Sequence, residues 1–200
     1  MNKTIVTLDH RHLPEALDLH LSAFPGFFLS FLGPAFLREF YRSFLEDEAG
    51  LGFVALDDRG RVIGVVVGPL FPDGYFKRLL KRRWAAFSAA SVRALLKKPS
   101  IAPRLFRAVF YRGESPDGPP RSLLSSIAVD PKAQGGGVGA ALVGRFLDEV
   151  RARGGRGCFL TTDADNNDAV NRFYARLGWT LESSYRAREG RRMNRYIIDF

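Results

Sequence analysis

The sequence contains a single cysteine, Cys158, so no internal disulfide bond can form. One cysteine in a chain of this length is typical of a protein from a reducing compartment. Cys158 lies in an apolar run between Gly157 and Leu160. A thiol in such a run is better interpreted as a core residue than as a nucleophile.

Long apolar runs are also lacking. An uncharged, mostly apolar stretch such as Val62 to Phe71 is too short to cross a bilayer. The first nine residues, MNKTIVTLD, lack the apolar centre of a secretion signal. The three histidines, His10, His12 and His20, have no spacing typical of a metal site. We therefore expect a cytoplasmic protein that binds no metal.

Acidic residues are absent from one long segment. Residues 75–112 contain eleven Lys and Arg and no Asp or Glu, whereas the remainder has 19 basic and 21 acidic residues. The net charge of +9 therefore belongs to this basic segment rather than to the whole chain. With 46 % hydrophobic and 26 % charged residues, the composition otherwise indicates one globular domain, residues 1–200.

The most informative stretch runs from Leu123 to Ala140. Its first part, Leu123 to Val129, has the composition of a strand. Asp130-Pro131 ends that strand, and a glycine-rich loop, QGGGVG at 134–139, follows. The next apolar residues share one helical face: Leu142, Val143, Phe146, Leu147 and Val150. A helix start with unpaired N–H groups favours an anion, and glycine lets a phosphate reach the backbone.

Two common phosphate-binding motifs do not fit this loop. A P-loop needs Lys followed by Ser or Thr where Ala140 and Ala141 stand, and the dinucleotide fingerprint needs a third glycine at Leu142. The pattern that does fit is Gln-x-x-Gly-x-Gly, and it starts at Gln134. A glycine-rich turn without a ligand is the alternative interpretation.

With this pattern the chain resembles the N-acetyltransferase superfamily known as GNAT, whose Arg/Gln-x-x-Gly-x-Gly/Ala loop binds the pyrophosphate of acetyl-CoA. A second stretch, Asn167 to Trp179, is similar to that family's Asn…Phe-Tyr-x-x-x-Gly-Phe/Trp segment. The two motifs occur in the family's order and cover about residues 120–200. The N-terminal half agrees only in its general layout, which is strand, helix, helix, strand, strand.

The resemblance implies a mixed α/β fold, with a central twisted sheet of about seven strands flanked by helices. The sequence departs from the family between the third and fourth strands, where an insertion spans about residues 73–120. The insertion contains two helical patterns, Tyr75 to Lys98 and Ile101 to Tyr111.

The basic insertion has three competing interpretations. It could cover the acceptor site and attract a phosphorylated or carboxylated substrate. It could lie on anionic lipid as basic amphipathic helices. Its charges could also form the solvated outer face of a structural insertion. No recognised nucleic-acid-binding module is present.

The resemblance also implies the site residues. Tyr174, which follows Phe173 in the second motif, would be the general acid, because a phenol of pKa about 10 can protonate a thiolate. A tyrosine of the helix's apolar stripe is the alternative. An N–H group near Ala128 is a candidate oxyanion donor. The residues expected to bind acetyl-CoA are Ile127, Ala128, Val129, Gln134, Gly135, Gly136, Gly137, Val138, Gly139, Ala140, Asn167 and Asn171.

The 3′-phosphate contact, the general base and the acceptor pocket have no single residue assigned to them. Lys132, Arg172 or Arg176 could contact the 3′-phosphate of CoA, although an exposed cation is the simpler interpretation of each. Residues 123–126 contain no carboxylate, so we assign no general base. The aromatic stretch from Phe24 to Gly33 either lines an acceptor pocket or packs in the core.

We therefore expect an acetyl-CoA-dependent N-acetyltransferase that acts on a primary amine of a small acceptor. An acidic or phosphorylated acceptor, such as an amino sugar nucleotide, suits the basic insertion. The protein would be a monomer or a homodimer. The alternative is a catalytically silent protein of the same fold, which binds CoA or docks on an acidic membrane or RNA surface.

Overall fold

The computed structural model describes residues 3–25, 28–85, 87–88, 120–187 and 190–200. The strands are β1 (Thr4–Thr7), β2 (Gly50–Leu56), β3 (Val62–Pro69), β4 (Ser122–Leu123), β5 (Ser126–Val129), β6 (Gly157–Asp163), β7 (Thr180–Arg186) and β8 (Arg192–Asp199). The α-helices are α1 (Leu13–Ala23), α2 (Phe28–Phe31), α3 (Gly33–Glu46), α4 (Tyr75–Arg82), α5 (Val138–Ala152) and α6 (Asp168–Arg176). Single 3-10 turns form at His10–His12 and Pro131–Ala133.

The described strands form two four-stranded sheets. The first has the order β1-β2-β3-β5 and is antiparallel throughout. The second has the order β4-β6-β8-β7, in which β4 is parallel to β6. The mixed α/β fold expected from the sequence is confirmed. The one central strand expected between Leu123 and Val129 is divided, however, because β4 belongs to one sheet and β5 to the other.

Helices cover both faces of the first sheet. α1 and α3 pack on one face and α5 on the other, so the core consists of two main apolar clusters. β3 is buried along its whole length, which explains its nearly continuous apolar sequence. α5 packs directly on β3, because a Cβ atom at Gly64 would lie only 2.8 Å from Leu142 Cδ1. The apolar face predicted for α5 is the face that is buried.

The described start of the basic segment is anchored to α3. Arg83 Nε lies 3.1 Å from Glu39 Oε2, and its Nη1 lies 3.1 Å from Glu46 Oε2. The ring of Tyr75 stacks on Phe44 with 5.6 Å between centroids. Most of the predicted helix beyond α4, and all of the one predicted from Ile101 to Tyr111, lies outside the described residues.

Neither a membrane-spanning helix nor a metal-binding cluster is found among the described residues. No helix there combines the length and apolarity needed to cross a membrane. Within the same ranges, no group of three His, Cys, Asp or Glu side chains is placed to hold a metal ion.

Candidate active site

The two sheets separate at Leu124 and Ser125. Leu124 N donates to Phe159 O of β6 over 3.0 Å, whereas Ser125 N donates to Val67 O of β3 over 2.9 Å. Ser126 is also paired with Val67, so two residues of one strand face one residue of the other, as in a β-bulge. The chain thus changes its partner strand within two residues, and a gap opens between β5 and β6.

The register of β5 decides which of its N–H groups face this gap. Asp130 N donates to Ile63 O over 2.9 Å, and hydrogen-bonded pairs alternate along an antiparallel ladder. Ala128 therefore exchanges hydrogen bonds with Val65, while the N–H groups of Ile127 and Val129 point away from β3. Because β5 is an edge strand in the described sheet, these two groups face no neighbouring strand. The oxyanion donor expected near Ala128 is thus more accessible at Ile127 or Val129.

The glycine loop presents a row of free main-chain N–H groups. Gln134 N reaches Pro131 O at 3.4 Å, and the first hydrogen bond of α5 runs from Ala141 N to Gly137 O over 3.1 Å. Between them, the N–H groups from Gly135 to Ala140 have no acceptor within the described part of the chain. No side chain caps α5. The loop therefore retains the donors that a diphosphate requires.

Two glycines shape this loop. Gly137 directly precedes α5 with φ of 72°, a left-handed conformation that favours glycine. At Gly139, a Cβ atom would lie 3.3 Å from Cζ of Phe173, so the helix start packs closely against α6. The glycine motif thus lies against the second motif, which contains Tyr174.

Lys3 lies beside the loop, although the sequence did not point to it. Its Nζ donates to Gly136 O over 2.7 Å and lies 3.0 Å from where a Cβ atom of Gly137 would be. An ammonium group at this place adds positive charge to a row of N–H dipoles, which favours an anionic ligand. No sequence pattern indicates this contact, because it joins residues that are 133 positions apart.

Tyr174 is buried in the core cluster, with 4 % of its surface exposed. Its ring centroid lies 5.7 Å from that of Trp179 and 6.0 Å from that of Tyr196. Burial, together with the nearby Cys158 thiol, raises its pKa well above the usual 10. The hydroxyl makes no hydrogen bond within the described residues, so the proton it would donate is free. The ring packs in the core, as one interpretation expected, and the unpaired hydroxyl is compatible with the predicted role as general acid, which stays a prediction.

The side-chain amide of Asn171 is fully hydrogen-bonded within the protein. Its Nδ2 lies 3.1 Å from Asp163 O and 2.9 Å from Asn167 O. Its Oδ1 accepts hydrogen bonds from Asn194 Nδ2 at 3.0 Å and Tyr196 Oη at 3.1 Å. An amide has two donor hydrogens and two lone pairs, and all are used. The side chain thus holds α6 to β6 and β8, and the predicted contact of Asn171 with acetyl-CoA stays a prediction.

Asn167 is only partly used. Its Nδ2 donates to Thr162 Oγ1 over 2.8 Å and to Asp163 O over 3.0 Å. It precedes α6 but does not cap the helix with its side chain. Its Oδ1 alone remains for a ligand, as an acceptor for an amide N–H.

The other cations named from the sequence lie at the surface. Lys132, Arg172 and Arg176 are exposed, and none forms an ion pair within the described residues. Lys132 donates its main-chain N–H to Asp130 Oδ1 over 2.8 Å, which fixes the turn after β5. The three side chains are therefore free to reach an anion.

Comparisons with known proteins agree with this architecture. The chain matches the model of the acetyltransferase (GNAT) family over residues 13–179. Mycothiol acetyltransferase from Nocardia farcinica is 43 % identical over 61 residues, which are 30 % of this chain and 20 % of that protein. The match thus spans only about a fifth of that relative.

Solved structures show the same fold. The ribosomal-protein-S18-alanine N-acetyltransferase from Escherichia coli superposes with a TM-score of 0.61 at 19 % identity, covering 99 % of this chain and 94 % of that one. A chain of the NatC complex bound to Gag peptide and CoA gives 0.61 at 13 % identity, covering 100 % and 99 %. Since the family match covers most of its length, the chain belongs to the GNAT acetyltransferase family.

Proposed function

We propose that the protein transfers the acetyl group of acetyl-CoA to a primary amine. The observation that carries this proposal is the row of N–H groups from Gly135 to Ala140, which lack acceptors among the described residues and adjoin the edge strand β5. Members of the GNAT family use acetyl-CoA, and the donors fit its diphosphate in number and type.

Binding begins with the diphosphate at the start of α5. The N–H groups of the loop donate to the phosphate oxygens, and the positive end of the helix dipole adds attraction. Lys3 contributes an ammonium group beside Gly136. Lys132, Arg172 and Arg176 remain candidates for the 3′-phosphate, because their charges are exposed near the two motifs.

The pantetheine arm follows the free side of β5. Its amides pair with the outward N–H and C=O groups of Ile127 and Val129, in the manner of strand addition to a sheet edge. Asn167 Oδ1 accepts from an amide of the arm. This places the thioester near the point where β5 and β6 separate.

At the thioester, the amine nitrogen attacks the carbonyl carbon and negative charge develops on the carbonyl oxygen. The N–H of Ile127 is the donor nearest the separation point, and it stabilises this charge. The C–S bond then breaks, and the thiolate takes the proton of Tyr174. The amine releases a proton to water, from which Tyr174 is reprotonated.

We propose an acidic or phosphorylated acceptor, such as an amino sugar nucleotide. The support comes from α4, where Lys77, Arg78 and Lys81 are exposed and form no ion pair with a described carboxylate. A positive field attracts an anionic amine and repels a polyamine.

A thiol-release screen tests the proposal. Acetyl-CoA is incubated with amino sugars, nucleotide amino sugars, polyamines, amino acids and peptides, and each released thiol is matched to an acetylated product by mass spectrometry. Release with product formation supports the transfer reaction. A protein that binds CoA but acetylates no acceptor would instead support the catalytically silent alternative.

One observation favours a second role on an anionic surface. Trp84, which follows α4, is 68 % exposed, and Phe71, which precedes α4, is 55 % exposed. Exposed aromatic side chains beside cations are typical of segments that lie on anionic lipid. Co-sedimentation with phosphatidylserine vesicles, lost in the Trp84→Ala variant, would support this role.

A further inference from the structure

A buried polar cluster joins α1, α3 and β5 and takes no part in the mechanism above. Its members are His20, Tyr41 and Ser126, one from each element. His20 Nδ1 lies 3.0 Å from Tyr41 Oη and 3.5 Å from Ser126 Oγ. His20 Nδ1 is thus the atom that both hydroxyls share. His20 and Tyr41 are 3 % and 0 % exposed.

Both buried members are neutral at pH 7. Burial lowers the pKa of His20 to about 4 and raises that of Tyr41 above its usual 10. A neutral imidazole has one donor and one acceptor nitrogen. In the tautomer with Nδ1 as the acceptor, Nδ1 takes the hydrogen bond of Tyr41 Oη and lies 3.5 Å from the Ser126 hydroxyl as a second donor. In this arrangement the lone pairs of Ser126 Oγ stay free.

His20 Nε2 is left without a partner among the described residues, although it is buried. A buried ring nitrogen without a partner destabilises the fold, so packing alone gives no reason for a histidine here. The ring nitrogen with a role is Nδ1, because it contacts both hydroxyls and so fixes the direction of their hydrogen bonds. The cluster is thus arranged to orient its third member, Ser126.

Ser126 is the end of this chain that solvent reaches, since it is partly exposed. It is the first residue of β5, two positions after Leu124, where the chain leaves β6. Its side chain contacts α1 and therefore lies on the face opposite α5. The diphosphate loop begins α5, so the α1–α3 face is the one left for the acceptor.

From this placement we propose that Ser126 Oγ accepts a hydrogen bond from the attacking amine, and that Tyr41 and His20 are positioning residues that fix its orientation. The inference rests on the proposed acetyl transfer. The amine N–H points at Ser126 Oγ, and its lone pair is thereby turned towards the thioester carbon. No charge needs to form on His20, whose surroundings disfavour it.

Kinetics of matched variants test the inference, with an amine acceptor found in the thiol-release screen. Ser126→Ala should lower kcat/KM for the amine roughly tenfold, while the Kd for CoA is unchanged, because one oriented hydrogen bond is removed. Ser126→Thr, which keeps the hydroxyl, should restore most of the loss. Tyr41→Phe should lower kcat/KM for the amine by a smaller factor.

The chain supplies controls of the same kind. Ser22→Ala removes a hydroxyl on α1 whose one hydrogen bond within the described residues is to Leu19 O, at 2.9 Å. Tyr75→Phe removes a buried hydroxyl that contacts Ser43 at 3.3 Å instead of this cluster. Both controls should leave the kinetics at the wild-type level. In ¹⁵N-edited spectra, Tyr41→Phe should shift the ring nitrogens of His20, whereas Tyr75→Phe should not.

The outcomes separate the two proposals. If wild-type protein acetylates the amine but Ser126→Ala retains full kcat/KM for it, the role of Ser126 is overturned while the transfer reaction stands. Unchanged His20 ring shifts in Tyr41→Phe would overturn the positioning roles. If the wild-type protein neither binds CoA nor releases thiol with any amine, both proposals fail.

Discussion

Lys3 Nζ donates a hydrogen bond to Gly136 O over 2.7 Å, which brings the residue before β1 to the glycine loop. We expect Lys3→Met to weaken CoA binding about three- to tenfold, because the variant removes a charge but keeps the apolar stem. Isothermal titration measures the change. Dephospho-CoA, which lacks the 3′-phosphate, should show the same loss. Lys81→Met, far from the loop on α4, is the control, and an equal loss there would contradict a local effect.

Gly137 offers a test of the diphosphate site by charge alone. Asparagine and aspartate have the same size, and both tolerate the left-handed backbone better than other residues. Gly137→Asp should weaken CoA binding at least about a hundredfold, since its carboxylate repels the diphosphate. Gly137→Asn should cost only a few-fold. Equal affinities of the two variants, measured by titration at low salt, would speak against this site.

Tyr174→Phe should lower kcat about a hundredfold and leave the Kd for acetyl-CoA nearly unchanged, because only the proton donor is removed. The raised pKa of Tyr174 keeps the phenol protonated beyond pH 10. Wild-type turnover should therefore show no alkaline loss from this group below that pH. The exposed Tyr185 provides the control variant Tyr185→Phe. Unchanged turnover in Tyr174→Phe would remove Tyr174 from catalysis.

The depressed pKa of His20 predicts a pH dependence of stability. The unfolded histidine binds a proton near pH 6.5, whereas burial lowers the folded pKa to about 4. Stability is therefore full above pH 6.5 and falls by about 3 kcal/mol as the pH drops to 4. Urea unfolding at each pH measures this loss. His20→Gln, which cannot titrate, should lack it between pH 7 and 4.5.

Protonation of paired carboxylates such as Glu149 and Asp57 lowers stability in a more acidic pH range than protonation of His20 does. Hydrogen bonds from Arg153 and Arg145 lower the pKa of Glu149, and Arg61 lowers that of Asp57. The stability that such groups contribute is present above their unfolded pKa and is lost only as the pH falls below about 4.5. A parallel decline of the wild type and His20→Gln from pH 7 to 4.5 would show that His20 is not buried as described.

Local patterns were enough to predict much of the fold. The apolar stripe of α5, the turn at Asp130 and the glycine loop each depend on neighbours within a few residues. The family resemblance added the mixed α/β architecture. These features follow from hydrophobic periodicity and from turn-forming residues, both of which can be read directly from the sequence.

Long-range choices were not predictable in the same way. The break between β4 and β5 depends on whether Leu124 and Ser125 pair with Phe159 or with Val67, and either partner suits the same apolar composition. The motif around Asn171 also gives no sign that its side chain makes hydrogen bonds with β6 and β8. Burial of His20 likewise depends on α3 and β5 packing over it.

The separation of β5 from β6 has a mechanical consequence. In the described chain no backbone hydrogen bond joins a strand of one sheet to a strand of the other, so the two sheets are held together by α5, by the apolar cluster that they share and by the segments that cross between them. A pantetheine arm that bonds both to β5 and to Asn167, after β6, would add a link between the two sheets. CoA binding would then couple the two sheets more tightly, and the melting transition would become sharper and move to a higher temperature.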